Sequence, residues 1–160
     1  SPEKTLITHI DEGLDFLGWH IQRRRKRGTN QRYVYTYPSA KALKAVTEKV
    51  KTQCRQNISQ PLETLLHRLN PVLRGWTAHF RSGVSSAAFG YLRAFTWRQV
   101  AGWLRRKHSQ LNWKELRRRY LAGGWWPSTA EVVLFNPSAV ATTRYRYRGT
   151  NIPSPWPSAA

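Results

Sequence analysis

The 160-residue chain carries 27 Lys and Arg against 8 Asp and Glu, a formal charge of +19 that exceeds what solubility requires and makes a polyanion the expected partner. Arginine dominates the basic set, which favours phosphate forks and stacking over diffuse attraction. No run of 18 or more apolar residues exists and no signal-peptide pattern opens the chain, so nucleic acid ranks ahead of an anionic membrane and no membrane is expected. Cys54 is the single cysteine, which excludes an intrachain disulfide and a cysteine-based zinc module and suits a reducing cytosol. His9, His20, His67, His79 and His108 lack a short-range ligand pair. The length suits one core, or a compact helical domain joined to a fragment of another.

In chain order, Thr5–Ile10 and Phe16–Ile21 are β-prone runs separated by Asp11-Glu12-Gly13, which reads as a hairpin. Gly18 inside the second run suggests a bulge or a close backbone approach. Arg23 to Arg32 is too charged to be buried, and Gly28 and Asn30 place a turn within it. Tyr33-Val34-Tyr35-Thr36-Tyr37 then forms a second extended run ending at Pro38. A basic loop between strands can follow a nucleic-acid backbone through phosphate contacts that carry little sequence information. A solvated charge run is the bland alternative.

Ser39 caps a helix with Leu43, Val46, Val50 and Cys54 on one face, which assigns Cys54 to packing. Ser59 and Pro61 open another, striped by Leu62, Leu65, Leu66 and Leu69. Asn70-Pro71 is read as its end and the start of the next helix, in which Val72, Leu73, Trp76, Thr77 and Phe80 recur at helical spacing. Arg74 and Arg81 fall outside that stripe, and Trp76 is expected to be buried under Arg74. Ser85–Lys107 predicts a long helix whose C-terminal Arg105, Arg106 and Lys107 form a phosphate-facing edge. Asn112-Trp113-Lys114-Glu115 is a capping box opening a short helix, with Trp113, Leu116, Tyr120 and Leu121 turned inward.

Beyond Gly123-Gly124 the pattern is irregular. Arg144-Tyr145-Arg146-Tyr147-Arg148 alternates cation and ring, so an extended strand would separate arginines from tyrosines. A Pro-rich end follows, Ile152-Pro153-Ser154-Pro155-Trp156-Pro157.

The stretch Leu69-Asn70-Pro71-Val72-Leu73-Arg74-Gly75-Trp76, continued through Arg81, resembles the signature of the group II intron maturase-specific domain. Trp103–His108 with Trp113–Tyr120 resembles the same domain. Leu14–Ile21, with its Phe-Leu-Gly turn, resembles the last block of a reverse-transcriptase palm, and the tail looks like that of bacterial maturases lacking a C-terminal nuclease domain. The resemblance implies three regions: residues 1–37, the β-rich end of the palm with the basic loop; residues 38–122, the helical maturase-specific thumb; and residues 123–160, a basic and aromatic extension. The expected fold is mainly α, a helical thumb bundle with a small N-terminal β-hairpin or sheet.

The resemblance further implies a fragment of a larger bacterial, cytoplasmic protein, associated with the nucleoid or an intron ribonucleoprotein. Such a protein binds group II intron RNA to promote folding and splicing, and it grips template-primer or target DNA during reverse transcription and retrohoming. Upstream palm and fingers domains are the protein partners it implies, and the many aromatic and apolar residues left exposed without a palm surface would also support a homodimer. The Tyr-x-Asp-Asp type motif that holds the family's metal ions is absent, and Asp11 and Asp15 do not resemble it. The fragment is therefore expected to be non-catalytic and without a cofactor, Mg2+ belonging to the full-length polymerase and the intron RNA. The predicted RNA contacts are Arg23, Arg24, Arg25, Lys26, Arg27, Arg32, Arg74, Arg105, Arg106 and Lys107, acting by phosphate neutralisation and shape recognition. The alternative is a non-specific nucleic-acid-binding or structural basic interaction domain.

Overall fold

The computed structural model describes residues 7–56, 58–122 and 124–143, and the backbone of Tyr147 and Arg148. It is mainly helical with a small N-terminal antiparallel sheet. Strands β1 (Leu14–Phe16), β2 (Trp19–Arg25) and β3 (Arg32–Pro38) precede helices α1 (Ala40–Arg55), α2 (Leu62–Phe80), α3 (Ser86–Lys107) and α4 (Trp113–Tyr120). A 3-10 turn at Pro137–Ala139 and strand β4 (Tyr147–Arg148) follow, and the sheet order is β1-β2-β3-β4.

The first hairpin lies later than the sequence pattern implies. Its turn is Leu17-Gly18 with φ of 50° and 84°, the two positive values a two-residue primed turn needs, so Gly18 is a turn residue and marks no bulge. Residues 7–10 form no strand, and the expected Thr5 and Leu6 lie outside the described residues. The β2–β3 register pairs Trp19 with Pro38 through Arg25 with Arg32, so Arg23, Arg24 and Arg25 are strand residues. The turn itself is narrowed to 26–31, closed by the Lys26 N–H donating to the Gln31 carbonyl at 2.8 Å, with Gly28 at φ 79°.

Strand alternation divides the sheet. Trp19, Ile21, Arg23, Val34, Thr36 and Pro38 share one face, and Trp19 meets Phe80 edge-on at 4.7 Å between centroids. The Val84 N–H donates to the Thr36 carbonyl at 2.7 Å, and a Cβ at Gly83 would overlap Trp19 and lie 2.7 Å from that same oxygen. Only glycine lets the α2–α3 turn press this closely on the sheet.

Ser39 caps α1 as expected, its Oγ accepting from the Ala42 N–H at 3.1 Å. Val46, Val50 and Cys54 face Leu62, Leu65, Leu66, Leu69 and Leu73 of α2 and Leu92, Val100, Trp103 and Leu104 of α3 in one core. Leu116, Leu121 and Leu134 close it. Asn112 caps α4 by accepting from the Glu115 N–H at 2.9 Å.

Asn70-Pro71 does not divide two helices, because α2 runs unbroken through it. Proline removes one helical hydrogen bond, and packing on both sides carries the helix across the gap. Asn70 is buried and serves a distant segment: its Nδ2 donates to the Val133 carbonyl at 2.9 Å and its Oδ1 accepts from the Phe135 N–H at 2.8 Å. Leu134, held between them, is fully buried. Its N–H donates to the Pro127 carbonyl at 3.0 Å and its carbonyl accepts from Trp126 Nε1 at 2.6 Å. The same segment continues along α2, where the Thr143 N–H donates to the Arg81 carbonyl at 2.8 Å, before β4 pairs with β3 at Tyr33 and Val34. Arg144, Tyr145, Arg146 and the Pro-rich end lie outside the described residues.

Asn70→Ala strips two hydrogen bonds from the segment that inserts Leu134, and should cost about 2 kcal/mol of stability. Urea unfolding followed by circular dichroism reads this directly. An unshifted midpoint would mean that the amide clamp contributes nothing.

Candidate nucleic-acid interface

The ten predicted contacts do not form one patch. The sheet sits against the start of α1, the end of α2 and the start of α3, whereas Arg105, Arg106 and Lys107 lie at the opposite end of α3. At 1.5 Å per residue, this 22-residue helix separates the two groups by about 30 Å. Arg74 lies between them on α2.

Arg23 must be removed from the RNA-facing set. It is 3% exposed, and it forks onto Asp11 with Nε to Oδ1 at 2.5 Å and Nη2 to Oδ2 at 2.7 Å. Hydrogen bonding to Asp11 and its negative charge raise the guanidinium pKa above its ordinary value, against the opposing effect of burial. Alternation explains the difference: Arg23 points to the helix side of β2, while exposed Arg24 points away. The sequence run of five cations hides that parity, and Asp11, read as a turn residue, is the partner that permits burial.

The rest of the hairpin remains open to a ligand. Arg24, Arg25, Arg27 and Arg32 are exposed, and Lys26 is half-buried. Arg24 lies 5.6 Å from the Tyr37 ring centroid and donates to the Tyr37 hydroxyl at 3.0 Å. Arg25 donates to the Thr29 carbonyl at 2.8 Å and to Asn30, which fixes its fork against the turn. Arg25 and Arg32 are direct cross-strand partners, an unfavourable like-charge pairing that a bound anion would relieve. Residues 25–30 line an open depression of about 370 Å³ with no carboxylate in its wall. Behind it, Tyr33, Tyr35 and Tyr37 share the sheet face of His20, Gln22 and Arg24, with Tyr33 and Tyr35 rings 6.4 Å apart.

The far cluster is partly structural. Lys107 Nζ donates to the carbonyls of Ile58 and Gln60 at 2.6 and 2.8 Å, tying α3 to the α1–α2 connection. Arg106 spends one guanidinium nitrogen on the Cys54 carbonyl at 3.0 Å, and both Arg105 and Arg106 are exposed. Their dense spacing reflects helix-end anchoring as much as an outward edge. Arg74 is exposed with its guanidinium 5.4 Å from the Phe135 ring centroid, and Trp76 packs on Phe80 and Phe89 instead of under Arg74. Residues two apart on a helix do not share a face.

Gly75 stands between Arg74 and Trp76 in the signature-like stretch and is not among the predicted contacts. It is exposed within α2, and a Cβ there would meet nothing within 4 Å. Glycine in a helix interior costs about 1 kcal/mol relative to alanine, so the fold gains nothing from it. Beside Arg74 and exposed Ala78 it leaves the α2 backbone accessible to close approach.

The single cysteine and the two N-terminal aspartates are engaged by the fold. Burial pushes the Cys54 thiol up to about 12, with the nearby Arg106 charge opposing it, so the buried sulfur is not a nucleophile. Asp11 is held by Arg23, and Asp15 lies 2.6 Å from His20. No three His, Cys, Asp or Glu side chains converge among the described residues, and no helix there is long and apolar enough to cross a membrane.

Residues 43–121 match the family described as Group II intron, maturase-specific domain, which covers just under half of the chain. The matched segment is the helical core from α1 through α4. No curated protein sequence matches the chain.

Replacing Arg25, Lys26, Arg27 and Arg32 by glutamine should weaken binding to a polyanionic RNA and flatten the log-affinity against log-salt slope by roughly 0.7 to 0.9 for each phosphate no longer neutralised. Thermal stability should stay near wild type. Arg23→Gln should do the reverse, losing about 2 kcal/mol of stability while the salt slope of the folded protein holds. Equal slopes in both variants would make the hairpin tip a solvated charge run.

Proposed function

We propose that this chain binds structured group II intron RNA and promotes the folding that splicing requires. The observation that carries the reading is the match of residues 43–121 to a maturase-specific domain, joined to a cationic hairpin with no carboxylate at its tip. Phosphates of a folded RNA are neutralised by Arg24, Arg25, Lys26, Arg27 and Arg32, while Arg74 and Gly75 admit a second backbone against α2. Arg105 supplies a remote contact, and Arg106 and Lys107 hold the bundle end in place. The RNA furnishes the splicing chemistry, and the protein supplies charge and shape.

Within this reading, residues 1–37 are the end of a palm, residues 38–122 a thumb and residues 123–160 an extension. The chain acts as part of a longer bacterial cytoplasmic protein with palm and fingers domains upstream. Gripping template-primer or target DNA during reverse transcription and retrohoming belongs to that whole protein, as does self-association. Asp11 is paired with Arg23 and Asp15 with His20, and the divalent-ion chemistry of polymerisation is placed in the palm of the whole protein.

Affinity for the folded cognate intron should exceed that for random RNA of equal length at moderate salt, and purified chain with a divalent metal should give no primer extension. Equal affinity for the two RNAs would leave the competing reading, non-specific electrostatic binding. Extension that survives repurification would overturn the non-catalytic assignment.

Gly75→Ala separates fold from function. It should raise stability by about 1 kcal/mol, because the helix interior prefers alanine and space is open, yet weaken intron RNA binding by shielding the α2 backbone. A stabilised variant with unchanged affinity would remove α2 from the interface.

A further inference from the structure

A second candidate site lies away from the basic hairpin, between α3 and the segment that follows α4. Arg93, Ala94, Trp97, Arg98, Trp125 and Trp126 line a cleft of about 490 Å³, within the size range of small-ligand sites. Its walls carry two exposed guanidinium groups and no carboxylate. Trp125 is 58% exposed, unusual for an indole in a chain with a well-packed core.

The indoles are held in place. Trp97 Nε1 donates to the Trp125 carbonyl, and Trp126 Nε1 to the Leu134 carbonyl at 2.6 Å, so the polar edges of both rings are engaged by the backbone. Arg93 sits 5.1 Å from the Trp126 ring centroid. Arg117 sits 4.4 Å from that of Trp125 and donates its Nε to the Gly124 carbonyl at 3.1 Å, so one indole face is backed by a cation. Trp113 braces Trp125 at 6.2 Å and Trp97 at 6.0 Å. The outcome is a braced aromatic surface, open on the cleft side and bordered by positive charge.

We infer that this cleft takes an unpaired nucleotide, its base stacked on Trp125 and its phosphate held by Arg93 and Arg98. A flat π-surface with adjacent guanidiniums is the chemistry that binds single strands without reading base edges. A neutral apolar ligand would leave the arginines without purpose, and an anion lacking a ring would leave Trp125 exposed. The inference deepens the RNA-binding reading, on which it rests, by giving it a subsite for loops or bulges. RNA and single-stranded DNA both supply the chemistry, and the test separates them.

The test uses the full chain and compares a short single-stranded oligoadenylate with an abasic ribose-phosphate strand of the same length and charge, and with oligodeoxyadenylate. The base-bearing RNA should bind about tenfold more tightly than the abasic strand. Trp125→Ala should collapse that gap while leaving abasic binding unchanged, and Trp125→Phe should restore most of it. The Trp125 backbone carbonyl that receives Trp97 survives in both variants, and Arg98→Gln, which keeps the indoles, should weaken all strands together. A gap retained by oligodeoxyadenylate makes the source any single strand; its loss there makes it RNA. No gap in the wild-type protein, or a gap that persists in Trp125→Ala, overturns the site. Because the comparison is internal to one strand length and charge, it stands apart from the choice between intron and random RNA.

Discussion

The carboxamide of Asn70 is the contact on which the architecture turns. A single side chain satisfies an acceptor at Val133 and a donor at Phe135, imitating a strand partner from within a helix. That double bond lets Leu134 enter the core while its own N–H and carbonyl are satisfied by Pro127 and Trp126. A buried peptide without these partners would carry a desolvation cost comparable to the gain from burying one leucine. Pro71 sits beside it in an unbroken helix, where the loss of one backbone bond is offset by packing on both flanks. The C-terminal segment is thus a stave of the bundle, and it reaches from the middle of α2 to the edge of the sheet.

Positive charge in this chain divides by what each cation already touches. Arg23, Arg106 and Lys107 are joined to Asp11, Cys54 and the Ile58–Gln60 loop, and each removes an internal electrostatic or backbone deficit. Arg118 and Arg119 lie on Glu115 at 2.8 and 3.7 Å, two solvent-facing helical ion pairs of small energetic weight. Arg25 and Arg32 do the opposite, facing each other across the hairpin without a counter-charge in its lining. A fold tolerates such a pairing at modest cost in water, and that cost is recovered when an anion arrives.

Much of the helical architecture is legible in the sequence because its signals are local. Ser39 and Asn112 cap where their side chains predict, and the leucine spacing of 62, 65, 66 and 69 gives the α2 stripe without tertiary knowledge. Structure and sequence pattern part where a distant residue overrides the local preference. Asn-Pro is a helix boundary in isolation, but core packing of Leu69 and Leu73 carries α2 through it, and the Asn70 side chain binds Val133 and Phe135, more than sixty positions away, instead of capping a new helix. Gly18 resembles a bulge because a primed turn shifted by a few residues carries the same glycine, and that shift also converts Arg23 from loop to buried strand. Composition records the charge of the hairpin but not its alternation. The tryptophan cleft has no linear signature for the same reason, since Trp97 and Trp125 meet only through the fold.

Separation along the bundle limits how this surface can read a ligand. The cationic hairpin and Arg105 are held about 30 Å apart by a single helix, and the C-terminal stave restrains the bundle between them. A charge pair beyond the screening length cooperates little through solvent, so any joint preference must come from a ligand rigid enough to touch both ends. Folded RNA has that stiffness and a random strand does not. Under the proposed reading, small residues on α2 and an aromatic cleft beside α3 act locally, one admitting a backbone and the other an unstacked base. In that reading, specificity resides in the spacing of weak sites on a stiff frame, and each site alone would bind almost any polyanion.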